Sequence, residues 1–244
     1  MTQSIVQIST ARNWNNSATP TTAPSLTGVT ALNDLVLLVV VITYVAGTTA
    51  ADLTASDAQG SYSQDCAEPY YNIGGNLALA AIFRLKQANS GTHTVTVTTT
   101  NGSASYGWAQ LVEVSGDANA AVDTTAVNSG SSTTPSCGPT SALAQANEIA
   151  FSAIGGYSTF TAWNEPSGWT NISNTSSGSF APYSFDYIVT TTNTALTANY
   201  GTISASQHWG GCIATYEAYI APSANFRRTL SPLGTRVGSR QTQL

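Results

Sequence analysis

Charge is scarce in this chain. Lys, Arg, Asp and Glu make up 8% of its 244 residues, against roughly 25% in an average soluble domain. That shortage excludes a coiled coil, a long helical bundle and a charged disordered polymer, each of which needs Glu, Lys or Arg in quantity. Seven cations cannot neutralise a long run of phosphates, so nucleic acid is not expected as a partner. The two histidines, His93 and His208, have no Gly-x-Ser-x-Gly elbow beside them, which leaves a serine or cysteine nucleophile without context. Both are expected to be exposed or on edge strands. The three cysteines show no Cys-x-x-Cys spacing and no His-x-x-x-His companion, so neither a metal nor a cofactor is expected. An odd count leaves one thiol over. Cys212, inside Cys212-Ile213-Ala214, is expected to be buried and free; Cys66 and Cys137 could pair with each other or with another chain. Long hydrophobic runs are missing as well. The strongest, Leu35 to Ile42, falls short of the ~20 residues of a spanning helix, and Met1-Thr2-Gln3-Ser4-Ile5 lacks the basic and apolar regions of a secretory leader. Neither membrane insertion nor a leader is expected.

Ser, Thr, Asn, Gly and Ala fill the places that charge leaves. Small hydroxylated and β-branched residues suit pleated strands and tight connections, so the expected class is all-β, an antiparallel two-sheet sandwich of jelly-roll or concanavalin-like type. Residues 1–10 offer a first strand, and Leu35–Ile42, rich in Val, predicts a strand buried on both faces or at a protein contact. Leu77, Leu79, Ala81 and Phe83 share one face of another. His93-Thr94-Val95-Thr96-Val97-Thr98 has the period of two that marks a strand with one wet face. Asn101-Gly102 is the sharpest hairpin signal, and Trp108 to Val114 reads as its return strand. The link from Asp117 to Gly138 reads as a long surface connection.

The second half echoes the first in order. Asn147-Glu148-Ile149-Ala150-Phe151 matches Asn33-Asp34-Leu35-Val36-Leu37, Thr194–Ala198 matches Thr94–Thr98, and Trp209 follows Thr197 by the interval that separates Trp108 from Thr96. Three matches in order point to two similar sets of strands that make the two sheets, or two intertwined halves, of one sandwich.

Charge of opposite sign sits at the two ends of the argument. Residues 1–220 hold all twelve acids against Arg12, Arg84 and Lys86, a net of −9, whereas residues 221–244 hold Arg227, Arg228, Arg236 and Arg240 and no acid. The boundary near 221 divides a sandwich domain, 1–220, from an extended basic arm, 221–244, that cannot bury enough surface to fold alone. Four spaced arginines, with Phe226 among them, suit docking on protein better than on phosphate. Two rival chemistries are weaker. Glu113 and Glu217 end equivalent strands, the placement a glycosidase pair would need, but the Glu-x-Asp-x-Glu strand of concanavalin-like enzymes is missing. Exposed aromatics could bind a host-surface glycan: Tyr70, Tyr71 and Trp163 are the candidate contacts, while Trp169, in Pro166-Ser167-Gly168-Trp169, is expected to fold back and cap the core. Asp52, Asp57 and Asp65 lack the cadence of a calcium loop.

Ala146-Asn147-Glu148-Ile149, Pro166-Ser167-Gly168-Trp169-Thr170 and Trp209 leading to Glu217 together resemble a β-sandwich family of tailed-phage structural proteins and bacterial surface proteins. Leu53 to Tyr62 is similar to that family's Asp-x-x-Gly-x-x-Tyr connection, one residue shorter before the Tyr, and Gly91 to Val97 is similar to its Gly-x-x-Thr-Val-Thr-Val strand. The likeness spans about residues 30–218 and excludes the basic arm. It implies a non-enzymatic virion or surface protein with no catalytic residues to transfer. The expectation is a capsid-decoration or tail-associated component, assembled in the host cytoplasm and displayed on the extracellular particle. Its partners would be other virion proteins and copies of itself.

Overall fold

The computed structural model describes residues 3–15, 23–43, 52–67, 71–73, 76–99, 105–116, 121–157, 163–175, 182–203 and 207–218. It is all-β. The first half supplies β1 (Ser4–Ile8), β2 (Arg12–Asn15), β3 (Ser25–Val29), β4 (Asp34–Thr43), β5 (Leu53–Asp57), β6 (Gly60–Ser61), β7 (Ser63–Ala67), β8 (Tyr71–Ile73), β9 (Asn76–Leu85), β10 (Gly91–Thr94), β11 (Thr96–Thr99) and β12 (Ser105–Ser115). The second supplies β13 (Val122–Ser132), β14 (Ser136–Cys137), β15 (Ile149–Tyr157), β16 (Thr170–Thr175), β17 (Tyr183–Val189), β18 (Ala198–Asn199) and β19 (Gln207–Tyr216).

Two main sheets, antiparallel throughout, organise the molecule. One has the order β1-β12-β4-β9-β7, the other β13-β19-β15-β17-β16. Ranked along the chain, both follow the same path: first, fifth, second, fourth, third. Each half also adds strands outside its main sheet. In the first, β10 pairs with β3, and β11 pairs with β5, which pairs with β6; in the second, β14 pairs with β18. With β10 and β11 taken as one interrupted strand, the outer layer of the first half has four strands, against a main sheet of seven in which β2 also pairs with β12 and β8 with β9. The second half keeps the main sheet and a shorter outer pair.

Alternation along β4 shows how the layers stack. Leu35, Leu37, Val39 and Val41 point to the outer strands of their own half and pack with Leu26, Leu53, Val95 and Val97. Val36, Leu38 and Val40 point the other way and pack with Phe151, Ala153, Phe185 and Cys212 of the second half. A strand buried on both faces needs the unbroken apolar run that the sequence has there. A third cluster, with Ala150, Ile154, Trp163, Trp169, Tyr200 and Trp209, fills the outer side of the second main sheet. The main sheets therefore meet back to back, with β13 over β7 and β19 over β9. Across the other side, Trp108 of β12 stacks on Tyr183 of β17 at 4.8 Å between centroids, and Ser173 of β16 bonds Gln110 of β12. The first strand of one sheet thus lies on the side where the other sheet has its third, and β4 and β15 run the same way. A twofold axis along the strands between the sheets would generate this arrangement.

Several sequence expectations are corrected. Asn101 and Gly102 lie outside the described residues, but the strands on either side are no hairpin: β11 pairs with β5, and β12 with β1, β2 and β4. The connection carries the chain from one sheet to another. The stretch read as a surface link contains β13, eleven residues paired with β19. As an edge strand with a half-wet face it needs no apolar run, which is why its Thr, Asn and Ser resemble a loop. No disulfide joins Cys66, Cys137 and Cys212, and all three thiols are buried. Finally, the echoes led by Asn33 and by Trp108 fall on strands of the same rank but on opposite faces, whereas residues 194–197, the counterpart of 94–97, precede β18 and form no strand. Leu35 faces the outer layer and its counterpart Ile149 the central one, because a shift of one residue turns a strand over.

Candidate functional site

Several ionisable residues of the body are gathered into internal clusters. At the junction of the two halves, Arg84 of β9 is 2% exposed. Its Nε lies 3.0 Å from Asp65 Oδ2 and its Nη1 3.5 Å from Asp34 Oδ2. The guanidinium also covers the ring of Tyr216, 4.6 Å from its centroid, so one cation from the first half caps an aromatic from the second. Asp34 Oδ1 accepts the Gln87 amide at 2.7 Å. Burial raises the Tyr216 hydroxyl well above its ordinary value, with the Asp65 charge adding to the effect.

A second cluster closes the outer layer of the first half. His93 Nδ1 lies 2.6 Å from Asp57 Oδ2, and its Nε2 lies 3.0 Å from the Asn89 carbonyl. Both ring nitrogens therefore face oxygen atoms. Tyr62 donates to Asp57 Oδ2 at 3.1 Å, and the amides of Gln59 and Gly60 donate to Oδ1 at 2.7 and 3.1 Å. Burial pushes the Asp57 carboxyl up, and these donors together hold it below its ordinary value. This is a His–Asp pair without a nucleophile at the second ring nitrogen. It braces the turn between β5 and β6 against β10. His93 is thus buried rather than exposed, although its strand β10 is an edge of the two-stranded β10-β3 sheet as expected, whereas half-buried His208 lies on β19, inside its sheet rather than at an edge.

Glu113 of β12 is buried and faces the outer layer of its own half. It takes bonds from Gln7 Nε2 (2.5 Å), the Thr30 amide (2.8 Å) and Asn33 Nδ2 (2.6 Å). Against the upward push of burial, these donors hold its carboxyl low. Glu217 follows β19 in the other half, so the two carboxylates considered as a hydrolytic pair belong to different layers.

The second half contains two carboxyls that burial pushes upward. Asp186 of β17, raised to about 6, accepts Asn171 Nδ2 at 2.8 Å and Ser184 Oγ at 2.9 Å. Tyr200 beside it shares a 2.8 Å bond with Ser152. Glu148, just before β15, is raised to about 7 by burial and by the neighbouring Asp123. The Gln145 amide donates to its Oε1 at 3.1 Å, and its Oε2 is buried without a hydrogen-bond partner among the described residues.

Of the candidate glycan contacts, Trp163 is 4% exposed and packs edge-on against Tyr200, 5.6 Å between centroids. Its faces belong to the outer core of the second half, so it offers no platform to a sugar ring. Tyr70 lies outside the described residues, and Tyr71 is placed on β8 by its backbone. Trp169 does cap the core: it is 6% exposed, its amide closes the turn on the Pro166 carbonyl, and its indole donates to the Thr197 carbonyl at 3.3 Å. Phe226, Arg227, Arg228, Arg236 and Arg240 lie outside the described residues. No motif in the sequence announces the pairing of Arg84 with Asp34 and Asp65. A visible signal was the single Arg within the otherwise apolar run Leu77–Leu85.

No family model, curated protein or solved structure matches the chain.

The burial of the acids also revises the picture of the charged body. Asp34, Glu113, Glu148 and Asp186 are buried, and the carboxylates of Asp57 and Asp65 are 1% and 8% exposed. Much of the negative charge is therefore spent on internal bracing, leaving an outer surface dominated by Ser, Thr and Asn.

Proposed function

We propose that the protein is a non-enzymatic structural component of a tailed-phage virion, a capsid-decoration or tail-associated subunit that docks on neighbouring subunits through residues 221–244. The observation that carries this reading is the fate of its chemistry-bearing side chains. The Arg84, His93 and Glu113 clusters each tie one strand or layer to another, and each key group is turned inward. A weakly charged, hydroxyl-rich exterior also suits close packing of identical subunits, where strong like charge would repel. The glycan-binding alternative loses Trp163 to the core and rests on the tyrosines alone.

The test is incorporation. Deleting residues 222–244 is expected to leave the body folded, with an unchanged circular-dichroism spectrum, and to abolish its appearance in purified particles measured by mass spectrometry. Undiminished copy number in the particles would refute the docking role. Hundreds of copies per particle would mark a shell component and a handful a tail tip.

A further inference from the structure

Three pieces of chain meet at one end of the second main sheet. β13 bulges there: its register with β19 shifts between Val122 and Thr125, and a bulge re-aims the side chains it carries. Thr124 closes the bulge on Thr215 of β19, its amide donating to Thr215 Oγ1 at 3.1 Å and its carbonyl accepting the same hydroxyl at 3.2 Å. Asp123, within the bulge, reaches the bend that precedes β15. The Ala144 amide donates to Asp123 Oδ2 at 2.8 Å, and the next amide, that of Gln145, donates to Glu148 Oε1 at 3.1 Å. Consecutive amides thus seat two carboxylates over one bend, with Asp123 and the Thr215 hydroxyl both beside Glu148.

The second oxygen of Glu148 is left bare. Glu148 is fully buried, and its Oε2 has no hydrogen-bond partner among the described residues. Asp123 beside it is an acceptor too when ionised. Among the described residues no cationic side chain pairs with either carboxylate, since the ion pairs join Arg84 to Asp34 and Asp65, and His93 to Asp57. Other buried acids are met by donors: Glu113 takes three, and Asp57 takes a hydroxyl and two amides besides its histidine. A bare carboxylate oxygen next to a second carboxylate, inside a protein, calls for a positive partner.

We propose that Asp123 and Glu148, with the Thr215 hydroxyl beside them, hold a calcium ion that ties the bulge of β13 to β19 and to the start of β15. The donor set is oxygen alone, which suits a hard cation better than zinc or copper. Calcium fits better than magnesium because it accepts irregular coordination, whereas magnesium demands a near-ideal octahedron. Asp123 is half-buried on an edge strand, so water can enter on that side and complete the coordination. Two carboxylates and one hydroxyl make a weak site, with a Kd on the order of 10⁻⁴–10⁻³ M. No calcium-loop cadence announces it, because the ligands come from separate strands. The site is independent of the docking role proposed above.

The test uses the full-length chain, stripped with a chelator and held at about pH 8, where Glu148, raised to about 7, is ionised. Calcium chloride at about 10 mM is expected to raise the Tm by about 3–10 °C over sodium chloride of equal ionic strength. Magnesium is expected to give a smaller rise, and calorimetric titration with calcium a single binding site. Both the rise and the binding heat should vanish in Glu148→Gln and, separately, in Asp123→Asn, which keep the size of each side chain and whose urea midpoints in chelator report that they fold. Three results would overturn the proposal. Equal Tm in calcium and sodium would mean that a proton alone fills the gap. Equal rises with calcium and magnesium would mean general screening of charge. A calcium effect that survives both substitutions would place the ion elsewhere.

Discussion

The two halves pack tightly where Gly155 of β15 faces Val40 of β4, and this contact supports a quantitative prediction. A methyl group built at Gly155 would overlap Val40 Cγ1 deeply and would sit 3.3 Å from both Val40 Cβ and Cγ2. Val40 is fully buried and β-branched, so it has no free rotamer into which to swing. Overpacking of this kind costs about 1–3 kcal/mol. Against it stands a gain of about 0.4–1 kcal/mol from a less flexible unfolded chain. With an overlap this deep the cost lies at the upper end of its range, so Gly155→Ala should destabilise the protein by about 2 kcal/mol, a fall in Tm of roughly 4–8 °C for a chain of this size. Val40→Ala alone should also destabilise, by leaving a cavity. Combined, the new methyl occupies the space that Val40 vacates, so the pair should be coupled favourably by about 1 kcal/mol or more. Urea unfolding of the four proteins measures the cycle. If Gly155→Ala proves neutral, or the two changes add within about 0.5 kcal/mol, the sheets do not meet as described.

Two further predictions concern buried charge. Arg84→Met removes the cation that serves Asp34 and Asp65 and should cost about 3–5 kcal/mol, with part of the loss recovered in the triple variant that adds Asp34→Asn and Asp65→Asn; denaturant titration reads both. The pH dependence of stability should have two limbs. Glu148 and Asp186 have raised values in the folded state, about 7 and 6 against ordinary values of 4.5 and 3.8, so the native protein binds their protons more tightly and stability falls as pH rises from about 4 to 7. Asp57 and Glu113 are held low, and their contribution is lost as pH falls below about 4. The Tm should peak near pH 4, and Glu148→Gln should flatten the upper limb while leaving the acid limb in place.

Much of the architecture was legible because periodicity reports burial. The run Leu35–Ile42 identified a strand covered on both faces, and the alternation from His93 to Val97 identified one with a wet face, as the burial of Val95 and Val97 beside exposed Thr94 and Thr96 bears out. Pairing was less legible. Asn101-Gly102 suits a tight turn, but which strands meet is decided by nonlocal packing, and the flanking strands went to different sheets. β13 escaped notice because an edge strand shares the composition of a loop. Two of the echoes between the halves found strands of equal rank and mistook their faces, since motif letters carry no record of which side of the pleat is buried. Polar clusters were the least visible part. His93 meets Asp57 across 36 positions and Arg84 meets Asp34 across 50, and no short spacing announces such a meeting.

The back-to-back arrangement of the halves has a consequence for how the molecule withstands dilution. Two separate chains associating through such a face would dissociate as their concentration fell, and their folding would depend on finding each other. Here a single backbone joins the partners, which fixes their mutual concentration at the high value of a tethered pair, on the order of millimolar for a short connection. The union is therefore first-order in protein: a lone copy, released far from any other, arrives with its central layer already closed.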